Sequence, residues 1–141
     1  PDDVNWGGSH FDWLDNDQMV VTANYQEKQY SHVFFTPGKQ DYKRLGGGLL
    51  DYDGHPVFSP NKKFMVTDTY PSSLTEQKIY LLNMESGAIL PLGRYIQPPE
   101  YRKEGHWRCD IHSRWSPQGR LIGFNSTHTG SRQAYILKVT Y

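Results

Sequence analysis

A chain of 141 residues holds one domain of ordinary size with room for a buried core, and it is too short for a multidomain enzyme. Fifteen Lys and Arg balance fifteen Asp and Glu, so no summed field draws the molecule to nucleic acid or an anionic membrane, and no apolar run approaches the roughly 20 residues of a membrane span. Hydrophobic residues reach only 36% but aromatics 14%, a balance that suits many short strands with aromatic packing and argues against disorder.

From the N-terminus, the chain opens Pro1-Asp2-Asp3 without a methionine, as expected of a piece of a longer protein. A first unit is expected over about 9–46. In it Ser9-His10-Phe11-Asp12-Trp13 sets a large aromatic three positions after a histidine, the polar turn Asp15-Asn16-Asp17 follows, and strands are expected at 19–23, 32–35 and, more weakly, 42–45. Gly46-Gly47-Gly48 closes it; without a following Lys-Ser or Lys-Thr it reads as a turn and not a phosphate loop. The same order returns over about 54–93. Gly54-His55-Pro56-Val57-Phe58 leads into Pro60-Asn61-Lys62-Lys63, then strands at 64–67, 78–82 and 88–92, ending at Gly93.

A Pro-rich, charged stretch over about 94–109 reads as an insertion loop. It carries Tyr101, His106, Arg108 and the single Cys109, which excludes an internal disulfide. A third unit, about 110–141, begins Asp110-Ile111-His112-Ser113-Arg114-Trp115, turns at Pro117-Gln118-Gly119-Arg120, and continues in strands at 121–124 and 133–137. It stops at Val139-Thr140-Tyr141, before a fourth strand.

The histidines lie 45 and 57 residues apart, close to the roughly 40–50 residues of a four-stranded propeller blade. The expected fold is therefore all-β: about three antiparallel blades of a β-propeller, almost without helix. A β-sandwich of regular hairpins is the alternative. Three blades do not close a ring, so the chain reads as a C-terminal fragment of a larger propeller with exposed blade edges open to self-association.

Ser116-Pro117, Gly119 and Arg132-Gln133 with Tyr135, together with His55-Pro56 and Phe58-Ser59-Pro60, resemble the WD40-like repeat of TolB-type propellers. A narrower resemblance, to the oligogalacturonate lyase propellers and their relatives, rests on three stretches. These are Ser9-His10-Phe11-Asp12-Trp13, Gly54-His55-Pro56 with Thr67-Asp68-Thr69-Tyr70-Pro71, and Asp110-Ile111-His112 with Asn125-Ser126-Thr127-His128. That resemblance implies a periplasmic or secreted, seven-bladed parent with a divalent metal, typically manganese, held near the axis by three histidines and a glutamine. Where the family pattern reads Gln-x-x-His-x-His, this chain has Trp107-x-x-Asp110-x-His112, and only His112 matches.

Because His10, His55 and His112 occupy one repeat position, a propeller would bring them together at the axis. Three imidazoles suit a borderline-soft metal and leave room for ligand. Asp110, two residues before His112, is a candidate fourth ligand or a group that orients a histidine. A hydrogen-bonding role without any metal is the alternative for the three histidines. Arg108, Arg114 and His106 are candidate contacts to an acidic oligosaccharide, whose carboxylates guanidinium groups clamp and whose ring faces aromatics cover. His32 and His128 read as solvated, and Trp13, Phe58 and Trp115 as core between blades. The leading expectation is thus part of an axial metal and acidic-carbohydrate site, performing β-elimination on uronates if catalytic, with the base outside these residues. The rival is a non-catalytic, TolB-like module that docks a protein partner.

Overall fold

The computed structural model describes residues 7–24, 30–102 and 108–140. Its strands are β1 (Gly8–Trp13), β2 (Met19–Asn24), β3 (Tyr30–Phe35) and β4 (Lys43–Arg44); β5 (Val57–Phe58), β6 (Phe64–Asp68), β7 (Glu76–Asn83) and β8 (Ile89–Ile96); and β9 (Arg114–Trp115), β10 (Leu121–Ser126) and β11 (Gln133–Lys138). They form three antiparallel meanders in chain order, two of four strands and one of three. Helix among the described residues is confined to the 3-10 turns Gly46–Gly48 and Pro99–Arg102. None is long or apolar enough to cross a membrane.

Alternation along the middle sheet explains the stacking. Met65 and Val66 are adjacent in β6 and point to opposite faces. Met65 joins Val20, Leu45, Leu50, Phe58 and Leu82 in a core against the first sheet, while Val66 joins Ile79, Ile111, Ile122 and Phe124 in a core against the third. Polar ties follow the same seams. Asp12 Oδ2 accepts the Phe58 amide at 2.7 Å, Lys62 Nζ donates to the Trp13 carbonyl at 2.8 Å, and Trp115 Nε1 donates to the Val57 carbonyl at 3.1 Å.

The recurring Ser-Pro has a local cause. Ser59 Oγ accepts the Phe64 amide at 3.0 Å and Ser116 Oγ accepts the Leu121 amide at 3.1 Å, so each serine brackets the turn that launches the next strand. In the first unit Asp15 Oδ1 does related work by accepting the amides of Asp17 and Gln18.

Three expectations need correction. His32 is not solvated: its position in β3 faces the second sheet, and it is fully buried, with Nδ1 donating to the Leu50 carbonyl at 2.9 Å and Nε2 at 2.7 Å from Thr67 Oγ1. Trp13 is not core, since each repeat aromatic packs on the sheet before its own. Phe58 is buried against the first sheet and Trp115 reaches the second, but no sheet precedes β1 among the described residues, and Trp13 is 43% exposed. Finally, the insertion starts later than 94. Arg94, Tyr95 and Ile96 extend β8 against β7, past a register shift at Ile79/Tyr80, because Tyr95 packs on Phe124 of the third sheet at 4.8 Å.

Gly54 illustrates how tightly the histidine segments lie on the sheets. A Cβ there would fall 2.0 Å from the Asp68 carbonyl oxygen, a backbone atom that can yield only with its strand. Gly54→Ala should therefore destabilise the chain by about 1–3 kcal/mol, read as a lower urea midpoint with an unchanged denaturant slope.

Candidate axial histidine site

His10 lies within β1, whereas His55 and His112 each stand two residues before the first strand of their sheets. The stacking of the sheets brings all three together. Ring centroids are 4.2 Å apart for His10 and His55, and 4.2 Å for His55 and His112, the latter pair stacked at 19°. His55 is buried at 4% exposure, His10 half-buried and His112 exposed.

Two carboxylates set the ring orientations. His55 Nδ1 lies 2.7 Å from Oδ1 of Asp68, which is itself fully buried and accepts the Ser113 amide on Oδ2 at 2.9 Å. His10 Nδ1 lies 3.2 Å from Oδ1 of Asp53, which also accepts the Thr22 hydroxyl at 2.7 Å. A carboxylate accepts the Nδ1 proton, so Nε2 is the working edge of each ring. Both Nε2 atoms approach the Tyr70 hydroxyl, at 3.3 Å from His10 and 3.5 Å from His55. Burial, reinforced by Asp110 and Asp53, pushes the Tyr70 phenol up to about 12, so it keeps its proton at neutral pH.

The guanidinium groups bracket this centre. Arg114 engages Nε2 of His112, and burial, then Arg114, then His55 hold that imidazole below its usual range. His112 has a backbone φ of 52°, in the left-handed region that a non-glycine residue adopts at a cost of roughly 1–3 kcal/mol. Arg108 covers the Tyr70 ring at 4.8 Å and pairs with Asp110, its Nε 2.9 Å from Oδ1 and a terminal nitrogen donating to Oδ2 at 3.0 Å. Clefts flank the centre: one of about 450 Å³ between His10, Phe11, His55 and Arg114, and one of about 360 Å³ between Tyr70, Gln97, Tyr101 and Arg108.

Of the four expected metal ligands, the geometry brings the Nε2 edges of His10 and His55 to one group, the Tyr70 hydroxyl. Carboxylate-backed imidazoles are ligands of the kind that borderline divalent cations accept. His112 and Asp110 are adjacent but turned to Arg114 and Arg108, and no three His, Cys, Asp or Glu side chains among the described residues form a ready metal site. His106 lies outside the described residues.

Sequence reasoning missed Asp53, Asp68 and Tyr70. Asp53 had a signal, because it precedes His55 by two positions as Asp110 precedes His112, yet it serves the histidine of the preceding unit. Asp68 and Tyr70 belong to the Thr67-Asp68-Thr69-Tyr70-Pro71 run, where only the fold shows that the end of β6 returns beside His55.

No protein-family model and no curated protein matches the sequence. Among solved structures the chain is similar to an oligogalacturonate lyase in complex with manganese, with a TM-score of 0.72 and 16% identity over 97% of this chain and 36% of that one. It is similar to the oligogalacturonate lyase of Vibrio parahaemolyticus, with a TM-score of 0.67 and 15% identity over 96% of this chain and 36% of that one. A protein from Agrobacterium tumefaciens assigned as TolB gives a TM-score of 0.61 and 20% identity over 88% of this chain and 42% of that one. The chain thus spans less than half the length of each. At these identities the likeness is one of fold: this is an all-β chain whose three antiparallel sheets match part of TolB-like and oligogalacturonate lyase propellers.

Proposed function

We propose that the chain forms part of the axial site of a periplasmic or secreted propeller that binds an acidic carbohydrate, with a divalent cation, manganese for preference, held at His10 and His55. The observation that carries this reading is the pair of carboxylate-backed imidazoles whose Nε2 edges face one phenol, itself covered by Arg108. The fold likeness to a lyase in complex with manganese supports it.

A bound cation would neutralise a uronate carboxylate and acidify the adjacent C–H. The chain's own residues would do the rest of the binding. Asp53 and Asp68 hold the rings in place, and Arg114, which lines the cleft beside His10 and His55, supplies a positive charge to the carboxylate. Tyr70, protonated at neutral pH, offers its hydroxyl as a donor to the anion. Elimination of the C4 glycosidic oxygen would need a base from elsewhere in the parent.

Calorimetry with manganese and then digalacturonate tests the reading. The chain should bind both, and a His10→Ala, His55→Ala double variant should lose at least tenfold in each affinity. Equal binding by the two proteins, or none by the unmodified chain, would refute the site.

A further inference from the structure

Each sheet turns one face to the sheet before it and the other to the sheet after it, so the two outermost faces of the stack meet no sheet among the described residues. On the first sheet that face carries Phe11 and Trp13, two apart on β1 and so on one side, 62% and 43% exposed. On the third sheet it is set by register. Arg114 pairs with Gly123 and Gly123 with Ile136, in the places that Val57, Val66 and Leu81 hold in the second sheet and Asp12, Val20 and Phe34 in the first. In the inner seams these places are covered: Val20 and Val66 are fully buried, Leu81 is buried, and Phe34 meets Phe58. On the third sheet they are bare, with Ile136 70% exposed.

The two bare faces match each other as the covered ones do. Trp115, the repeat aromatic of the third unit, donates from Nε1 to the Val57 carbonyl of the sheet before it at 3.1 Å. Trp13 is the same residue at the same repeat position, and its acceptor in a preceding third sheet would be the Arg114 carbonyl. Gly123 stands where the other sheets have valine, and no atom lies within 4 Å of a Cβ built there. That face therefore has a hollow beside Ile136 in which an indole can lie. The turns agree in charge: Asp15 and Asp17 of the first unit are exposed, as are Arg120 and Lys138 of the third. Lys62, donating to the Trp13 carbonyl, shows that the turn of one unit lies beside the strand end of the unit before it. Opposite charges placed there orient the docking more than they strengthen it.

We infer that a second copy of this chain docks here, the third sheet of one copy receiving Phe11 and Trp13 of the next, and that two copies close head to tail through two such seams. Two copies bring six sheets, within the roughly four to eight that close a propeller ring. Unlike faces meet in a heterologous contact, which stays finite because the ring closes. The same docking sets His112 of one copy beside His10 of the next and carries the histidine row across the seam. The dimer stands with or without a ligand at the histidines.

Sedimentation equilibrium of the 141-residue chain tests this. At about 0.1 mM the chain should show twice the mass of one copy and dissociate on dilution. Phe11→Arg and Ile136→Arg, both at exposed side chains, should each weaken the dimer by roughly tenfold or more. Mixed in equal amounts, the two variants should associate again, because one seam of the mixed dimer is free of both new charges. Circular dichroism checks that each variant folds, and Ala134→Arg, on the same exposed face, takes the place of Ile136→Arg if that variant does not. A monomer at that concentration, an assembly that only one of the two faces controls, or a mixture of folded variants that stays dissociated would overturn the head-to-tail dimer.

Discussion

Asp68→Ala is expected to destabilise the chain by about 3 kcal/mol, because two buried donors, His55 Nδ1 and the Ser113 amide, lose their acceptor together and each orphaned group costs roughly 1–3 kcal/mol. Asp68 ties the second sheet to the third from a position with no solvent exposure, so water cannot substitute without the seam opening. Ligand affinity at the histidines should fall about 10–100-fold as the His55 ring loses its orientation. Asp68→Asn separates the two roles. Its carbonyl can still serve one donor, so it should cost less than half as much stability and still weaken binding by about tenfold. Urea denaturation and manganese calorimetry on both variants give the comparison. A loss under 1 kcal/mol for Asp68→Ala would show that the clasp does not hold the seam.

Acidification should destabilise the fold through His32. Burial outweighs its hydrogen bond to Leu50 and lowers its pKa from 6.5 to about 4, even with Asp68 and Asp53 favouring the charged form. The unfolded chain therefore binds this proton more readily than the native state between pH 6.5 and 4. Stability is complete above pH 6.5 and is lost as the pH falls through that window. The loss amounts to about 3 kcal/mol in all, at roughly 1.4 kcal/mol for each pH step of one between the unfolded and folded values. The structural reason is direct: Nδ1 already donates to Leu50, and protonating Nε2 would turn the Thr67 hydroxyl from donor to acceptor inside the core. His32→Gln keeps one donor and one acceptor but does not titrate. Its stability should be lower than wild type at about pH 7 and should fall less on acidification through the His32 window. Parallel stability curves for the two proteins would show that His32 does not carry the acid sensitivity.

Much of this architecture was legible because the repeat is written in residues with local jobs. The bracketing Ser59 and Ser116 and the alternating strand 121–126 each act within a few positions, and the His-x-x-aromatic spacing recurs once in each sheet. The convergence of His10, His55 and His112 followed from that periodicity. What stayed hidden depends on which sheet lies next to which. His32 looked solvated because its partners, Leu50 and Thr67, are 18 and 35 residues away. Asp53 orients His10 from 43 residues on, and Asp110, expected among the ligands, is drawn off by Arg108 two residues before it. Long-range polar pairs leave no spacing in the chain, whereas strand alternation and turns do.

If the three repeat histidines bind an acidic sugar, their imidazole nitrogens must report it. Nitrogen NMR can follow the six histidines during a digalacturonate titration with and without manganese. His10, His55 and His112 are expected to shift or broaden first and saturate together, while the buried His32 and the outlying His128 follow later or not at all. Unchanged His10 and His55 signals at saturating ligand would contradict an acidic-sugar site at the axis.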